Sequence, residues 1–233
     1  MENKTTRRRA ALLIASFAAT PLRDAQSLLA PQPLDLLVVH HPLLGAGRVL
    51  DQLGADFLVL RVGRDAVLGD LVHLVDIETG AVVKDVVVGT RPRRFAATPD
   101  NKELWVTAEL SGEVWIIDRD RFEAKGKIEF LPPGMRKSDV TPVGITMTKD
   151  GKTAYVTLGH AAHVAVVDVP LRSTQSYILV GKRSWGITLS RDEKMLYVAN
   201  GFGDDITIID AASRKPVISV PVGRVPWGVV IDD

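Results

Sequence analysis

From Val72 onward, apolar residues alternate with polar ones or gather in runs of four to six, rich in Val, Ile, Tyr and Trp and bounded by Gly, Asp and Asn. A two-residue period with β-branched and aromatic enrichment predicts short half-buried strands, and turn residues every five to ten positions leave no room for helices. The pattern then repeats. The aspartates that close apolar runs, Asp76, Asp118, Asp168 and Asp210, stand 42, 50 and 42 residues apart. The turn aspartates Asp100, Asp150 and Asp192 give the same 50 and 42. Lead-in segments keep the register: VGTRPRRFAAT from Val88, TPVGITMT from Thr141, VGKRSWGITLS from Val180 and PVGRVPWGVVI from Pro221. The eight extra residues of the middle interval fall near LPPGMRKSDV, Leu131 to Val140, whose Pro, Gly and charge predict a surface loop.

The unit closing at Asp210 predicts four strands, at Gly186–Leu189, Met195–Ala199, Asp205–Ile209 and Pro216–Val220, joined by turns containing Ser-Arg-Asp-Glu, Asn-Gly-Phe-Gly-Asp and Ala-Ala-Ser-Arg-Lys. Four antiparallel strands every 42 residues match the blade of a β-propeller. A parallel β-helix or leucine-rich horseshoe needs a shorter period, and ankyrin or tetratricopeptide arrays need helices. The fold class expected is therefore all-β, an incomplete ring of about four blades.

LYVAN at Leu196–Asn200, followed by ITIID, with LWVTA at Leu104 and AYVTL at Ala154 as variants, resembles the YVTN family of propeller repeats. The run VGKRSWGITLSRDEKMLYVANGFGDDITIID and the ending VGRVPWGVVIDD are similar, more narrowly, to the PQQ-dependent catabolism-associated β-propeller proteins. That resemblance implies an exported protein tied to quinoprotein alcohol oxidation, about seven blades long in the family, without assigning it a catalytic role.

The N-terminal third reads differently. Arg7, Arg8 and Arg9 precede a short apolar run, Ala10 to Ala19, which predicts a signal peptide over residues 1–20 and a periplasmic or otherwise exported product. The run is too short to span a bilayer comfortably, so no membrane span is expected after processing. Residues 21–70 lack the turn aspartate, the YVTN-like run and the Val-Gly lead-in. A non-repeat domain, diverged blades and an upstream reading frame that is deleted or shifted all fit; the sudden start of a clean repeat at Leu71 favours the last. On that reading the repeats occupy 71–233, the final strand Trp227–Ile231 has lost its N-terminal partners, and open blade edges favour self-association.

Charge narrows the chemistry. With 29 Lys and Arg against 28 Asp and Glu, no global field favours nucleic acid or an anionic membrane, so a charged site must be local. The absence of cysteine excludes disulfides, thiolate metal sites and thiol nucleophiles. The repeated aspartates read as turn caps rather than acid/base pairs. His160 and His163 have an H-x-x-H spacing without a third ligand nearby, while His40 and His41 lie in the non-repeat segment and His73 opens the repeats, so neither a metal nor a cofactor is expected. No catalytic motif emerges.

The remaining candidate is a surface. The lead-in segments align Arg91 with Arg183, Lys182 with Arg224, and Trp185 with Trp227, and a propeller brings such loops together around one channel mouth. A basic mouth rimmed with aromatics could receive a small anionic ligand or an acidic partner such as a periplasmic quinoprotein dehydrogenase. The function expected is a non-enzymatic binding or accessory module, with a lactonase-like propeller hydrolase or a cell-surface structural repeat as alternatives.

Overall fold

Strand patterning is realised throughout the computed structural model, which describes residues 36–38, 58–65, 69–76 and 79–231, with side chains from residue 70. The signal-peptide segment, His40 and His41 lie outside the described residues. All described strands belong to the unit Leu34–Asp233.

Four antiparallel four-stranded sheets follow one another along the chain. The first comprises β1 (Leu36–Val38), β2 (Leu58–Asp65), β3 (Gly69–Asp76) and β4 (Val82–Val87). The second comprises β5 (Pro92–Ala97), β6 (Glu103–Ala108), β7 (Glu113–Asp118) and β8 (Glu123–Glu129). The third holds β9 (Ile145–Met147), β10 (Thr153–Thr157), β11 (His163–Asp168) and β12 (Ser173–Leu179), and the fourth β13 (Ser184–Leu189), β14 (Met195–Asn200), β15 (Asp205–Asp210) and β16 (Lys215–Pro221). Each sheet is a meander of neighbouring strands, as a propeller blade is. In the later sheets the first strands lie side by side, with β9 packed against both β5 and β13.

Apolar cores fill the gaps between blades. Trp105, Val114, Ile116 and Ile128 of the second blade meet Ala154, Val156, Ala165 and Val167 of the third. At the equivalent face of the third blade, Tyr155, Val164, Val166 and Ile178 meet Leu196, Val198 and Ile209 of the fourth. A side-chain staple repeats as well. The Thr107 hydroxyl donates to the Val143 carbonyl at 2.8 Å, and the aligned Thr157 hydroxyl donates to the Trp185 carbonyl at 2.7 Å. Close approach of the inner strands demands glycine there: a Cβ on Gly144 would lie 2.3 Å from the Trp185 carbonyl oxygen.

The repeated aspartates are turn caps. Asp100, Asp150 and Asp192 each accept from a hydroxyl two residues earlier and a backbone N–H two residues later, and Asp76, Asp118, Asp168 and Asp210 each accept from the backbone N–H three residues on. Hydrogen bonds that favour the charged form hold Asp100, Asp118, Asp150 and Asp210 below the ordinary aspartate range. The Lys194 ammonium, then the Ser190 hydroxyl, bring Asp192 down to about 2. A carboxylate depressed in the folded state stabilises the fold above its unfolded value and loses that contribution as pH falls through the folded one. Acid titration followed by circular dichroism is therefore expected to show stability draining away between the ordinary value of 3.8 and about 2.

One feature differs from the sequence expectations. The first sheet takes β1 and β2 from N-terminal of Leu71, although β2, LVLRVGRD, carries no turn aspartate by which a repeat could be recognised. Trp227–Ile231 belongs to none of the four sheets; it runs beside β13 of the preceding blade, where the Gly186 N–H donates to the Trp227 carbonyl at 3.2 Å and the Thr188 hydroxyl to the Val229 carbonyl at 2.6 Å. The inserted loop is anchored rather than loose. Its Lys137–Asp139 segment forms a 3₁₀ turn, Arg136 pairs with Asp139 at 2.9 Å, and Val140 joins the core.

Candidate basic mouth of the channel

Every blade places its lead-in loop and its second turn, between the second and third strands, at one end, because four antiparallel strands return the chain there twice. The Val-Gly lead-ins turn through a left-handed residue at aligned positions, Arg91 (φ 60°), Arg183 (φ 57°) and Val225 (φ 54°). A non-glycine residue in that region carries a local steric cost, met here by the surrounding packing. The turn fixes where the two arginine side chains begin.

At this mouth three guanidinium groups surround one carboxylate. Glu109, immediately after β6, has a side chain only 2 % exposed. Its Oε1 accepts from Arg183 Nη2 at 2.8 Å, while Oε2 lies 3.2 Å from Arg91 Nε and 3.3 Å from Arg93 Nε. Three guanidinium groups thus meet at a single carboxylate. The arginines are graded in access: Arg91 is 41 % exposed, Arg93 17 % and Arg183 13 %. Arg183 Nη1 donates to the Thr141 hydroxyl at 3.3 Å, and that hydroxyl accepts from the His160 backbone N–H at 2.9 Å. Burial lowers Arg183 below its ordinary value, against the opposing attraction of Glu109. Burial, then the Arg183 charge, also lowers His160, which favours its neutral imidazole.

Aromatic rings flank the cations. Trp185 lies 5.8 Å from the Arg183 guanidinium carbon and meets Phe202 edge-on at 6.0 Å between centroids. Its ring rests on Gly201, where a Cβ would fall 2.6 Å from the indole. The Arg94 guanidinium stacks over Trp227 at 4.0 Å, joining the inner strand of the second blade to the segment after the fourth.

Of the six residues expected at the mouth, Arg91, Arg183 and Trp185 come together there, and Trp227 pairs with Arg94. Lys182 and Arg224 do not join the cluster: both are exposed. Glu109, Arg93 and Arg94 were missed by the sequence reading. A signal for them exists in the repeat alignment, since Glu109 stands where the later blades have Gly159 and Gly201, and Arg94 where they have Gly144 and Gly186. His163 Nδ1 lies 2.6 Å from the Ala161 carbonyl and its ring faces Tyr177, so the H-x-x-H pair does not converge. No group of three or more metal-binding side chains occurs among the described residues.

A family model described as "Lactonase, 7-bladed beta-propeller" matches residues 56–219. Among solved structures, the Kuenenia stuttgartiensis hydrazine synthase is similar with a TM-score of 0.60 and 24 % identity, over 71 % of this chain and 46 % of that one. The chain thus spans about half the length of that structure, and the likeness is one of fold. No curated protein matches.

Proposed function

The chain belongs to the family of seven-bladed β-propeller lactonases, and from that footing we propose that its working surface is an anion-binding mouth, used as a binding or accessory module. The observation that supports this reading is the arginine cluster: three guanidinium groups meet around Glu109, and Arg91 among them is 41 % exposed to a ligand. Charge-assisted hydrogen bonds from guanidinium to carboxylate or phosphate are strong and directional. The resemblance of Val180–Asp210 to propellers of PQQ-dependent catabolism supports an exported setting in quinoprotein alcohol oxidation, with an acidic patch of a periplasmic dehydrogenase as the macromolecular ligand.

Calorimetric titration with citrate tests the site. Binding is expected to weaken with added salt and to fall about tenfold in Arg91→Ala, while Arg224→Ala leaves it unchanged. Equal losses in both variants would reduce the interaction to general surface charge.

One observation favours a second reading, lactone hydrolysis. His160, favoured in its neutral form, stands at the same mouth, where it could take a proton from water while the arginines steady the developing oxyanion. Glu109 is only 2 % exposed and faces three guanidinium groups rather than water. Turnover of a simple carboxylated lactone that disappears in His160→Ala would favour the hydrolase over the binding module.

A further inference from the structure

The faces of the blades recur in the sequence as their strands do. Trp105, Val114, Ile116 and Ile128 of the second blade align with Tyr155, Val164, Val166 and Ile178 of the third and with Tyr197, Ile206, Ile208 and Val220 of the fourth. In the second and third blades all of these are at most 5 % exposed, each set covered by the blade that follows. In the fourth, Tyr197, Ile206 and Ile208 are only partly buried, Val220 is 38 % exposed, and Ile218, the cross-strand partner of Ile208, is 54 % exposed. Trp227–Ile231 lies against the β13 end of this face, where Thr188 holds the Val229 carbonyl, and the β15–β16 end stays open. Of the fifteen large apolar side chains exposed among the described residues, eight fall between Phe202 and Val230, so the apolar surface gathers on the fourth-blade side.

A contiguous apolar patch of this kind marks an interaction surface, because covering it removes apolar area from water. The series of blade-to-blade layers continues into this face, so what it is shaped to receive is another apolar sheet. None of its five side chains is charged, and two such faces can therefore meet without trapping an ion between them. The outer strands differ in the same sense: β8 carries Glu123, Lys125, Lys127 and Glu129, whereas β16 carries a single charge, Lys215, at its start. From this continuity we propose that the face built of Tyr197, Ile206, Ile208, Ile218 and Val220 is covered by the same face of a second copy of this chain, the two related by a two-fold axis. Each copy then supplies the neighbouring sheet for the other's fourth blade. The contact needs none of the arginines at the mouth and stands whether or not they bind an anion.

Light scattering of the full chain during gel filtration is expected to give a dimer at micromolar concentration. The double substitution Ile218→Glu with Val220→Glu should weaken it at least about a hundredfold, to a monomer, since each new charge would be buried against apolar groups. The uncharged Ile218→Ser should weaken it about tenfold. Both positions are exposed in a single copy, so these variants should keep the circular dichroism spectrum of the unaltered protein, and Leu171→Glu, at a site 74 % exposed and outside the face, should remain a dimer. A monomer at every concentration, a dimer that survives the double substitution, or species that grow past the dimer as concentration rises would each overturn the two-fold pairing. A monomer whose melting temperature falls with the double substitution would assign the covering role to another segment of the same chain and overturn it equally.

Discussion

Glu109→Ala is expected to lower stability by about 3–5 kcal/mol, because removing one member of a buried ion pair leaves buried charge without that counterion. Here the partners are three, and they repel one another once the carboxylate is gone. Arg91, being 41 % exposed, can turn toward water and contributes little to the loss. Arg93 and Arg183 have far less access, and Arg183 cannot leave without giving up Thr141. The same change should strengthen anion binding, since the mouth gains one uncompensated positive charge. Thermal melts with and without citrate separate the two effects: the variant should melt well below the unaltered protein and recover more of its melting temperature when citrate is added. A variant that melts with the unaltered protein would mean that Glu109 does not organise the mouth.

Trp105→Ala is expected to cost about 3–5 kcal/mol, the range for truncating a large buried aromatic. Trp105 is fully buried in the apolar layer between the second and third blades, so its loss opens a cavity bordered by two sheets that cannot easily close it. Its indole N–H also donates to Glu103 Oε2 at 3.1 Å, and Glu103 in turn holds Lys125 at 2.8 Å and Arg172 of the third blade at 2.6 Å. For a unit of this size the melting temperature should drop on the order of 10 °C. Leu131→Ala, at an exposed position of the inserted loop, should change it by no more than about 0.5 kcal/mol. Comparable losses at the two sites would argue against the layer between blades as the seat of stability.

The strands were legible because the repeat states each of them several times. In the fourth blade the expected Met195–Ala199 and Asp205–Ile209 end one residue short of β14 and β15, a difference set by how far ladder hydrogen bonds reach into a turn. The turn aspartates were legible for the same reason, since a residue type recurring at a fixed position before a turn has a local backbone role. β2 was not, because its register comes from pairing with β3 rather than from any signature of its own. At the mouth, alignment found residues that recur, Arg91 with Arg183, and overlooked those that break the pattern. Glu109 and Arg94 occur once each, where other blades have glycine, so a search for likeness passes over them. Lys182 and Arg224 show the converse: they align well, yet alignment does not reveal which side chains of a lead-in face solvent.

The hydroxyl staples between blades grip only main chain: Thr107 holds the Val143 carbonyl and Thr157 the Trp185 carbonyl, whatever side chain those positions carry. Joint and lining are thereby decoupled. Valine in one blade and tryptophan in the next satisfy the same clasp, so substitutions along the wall can accumulate without loosening the assembly. Such a scaffold can change what it recognises by altering residues that no junction depends upon.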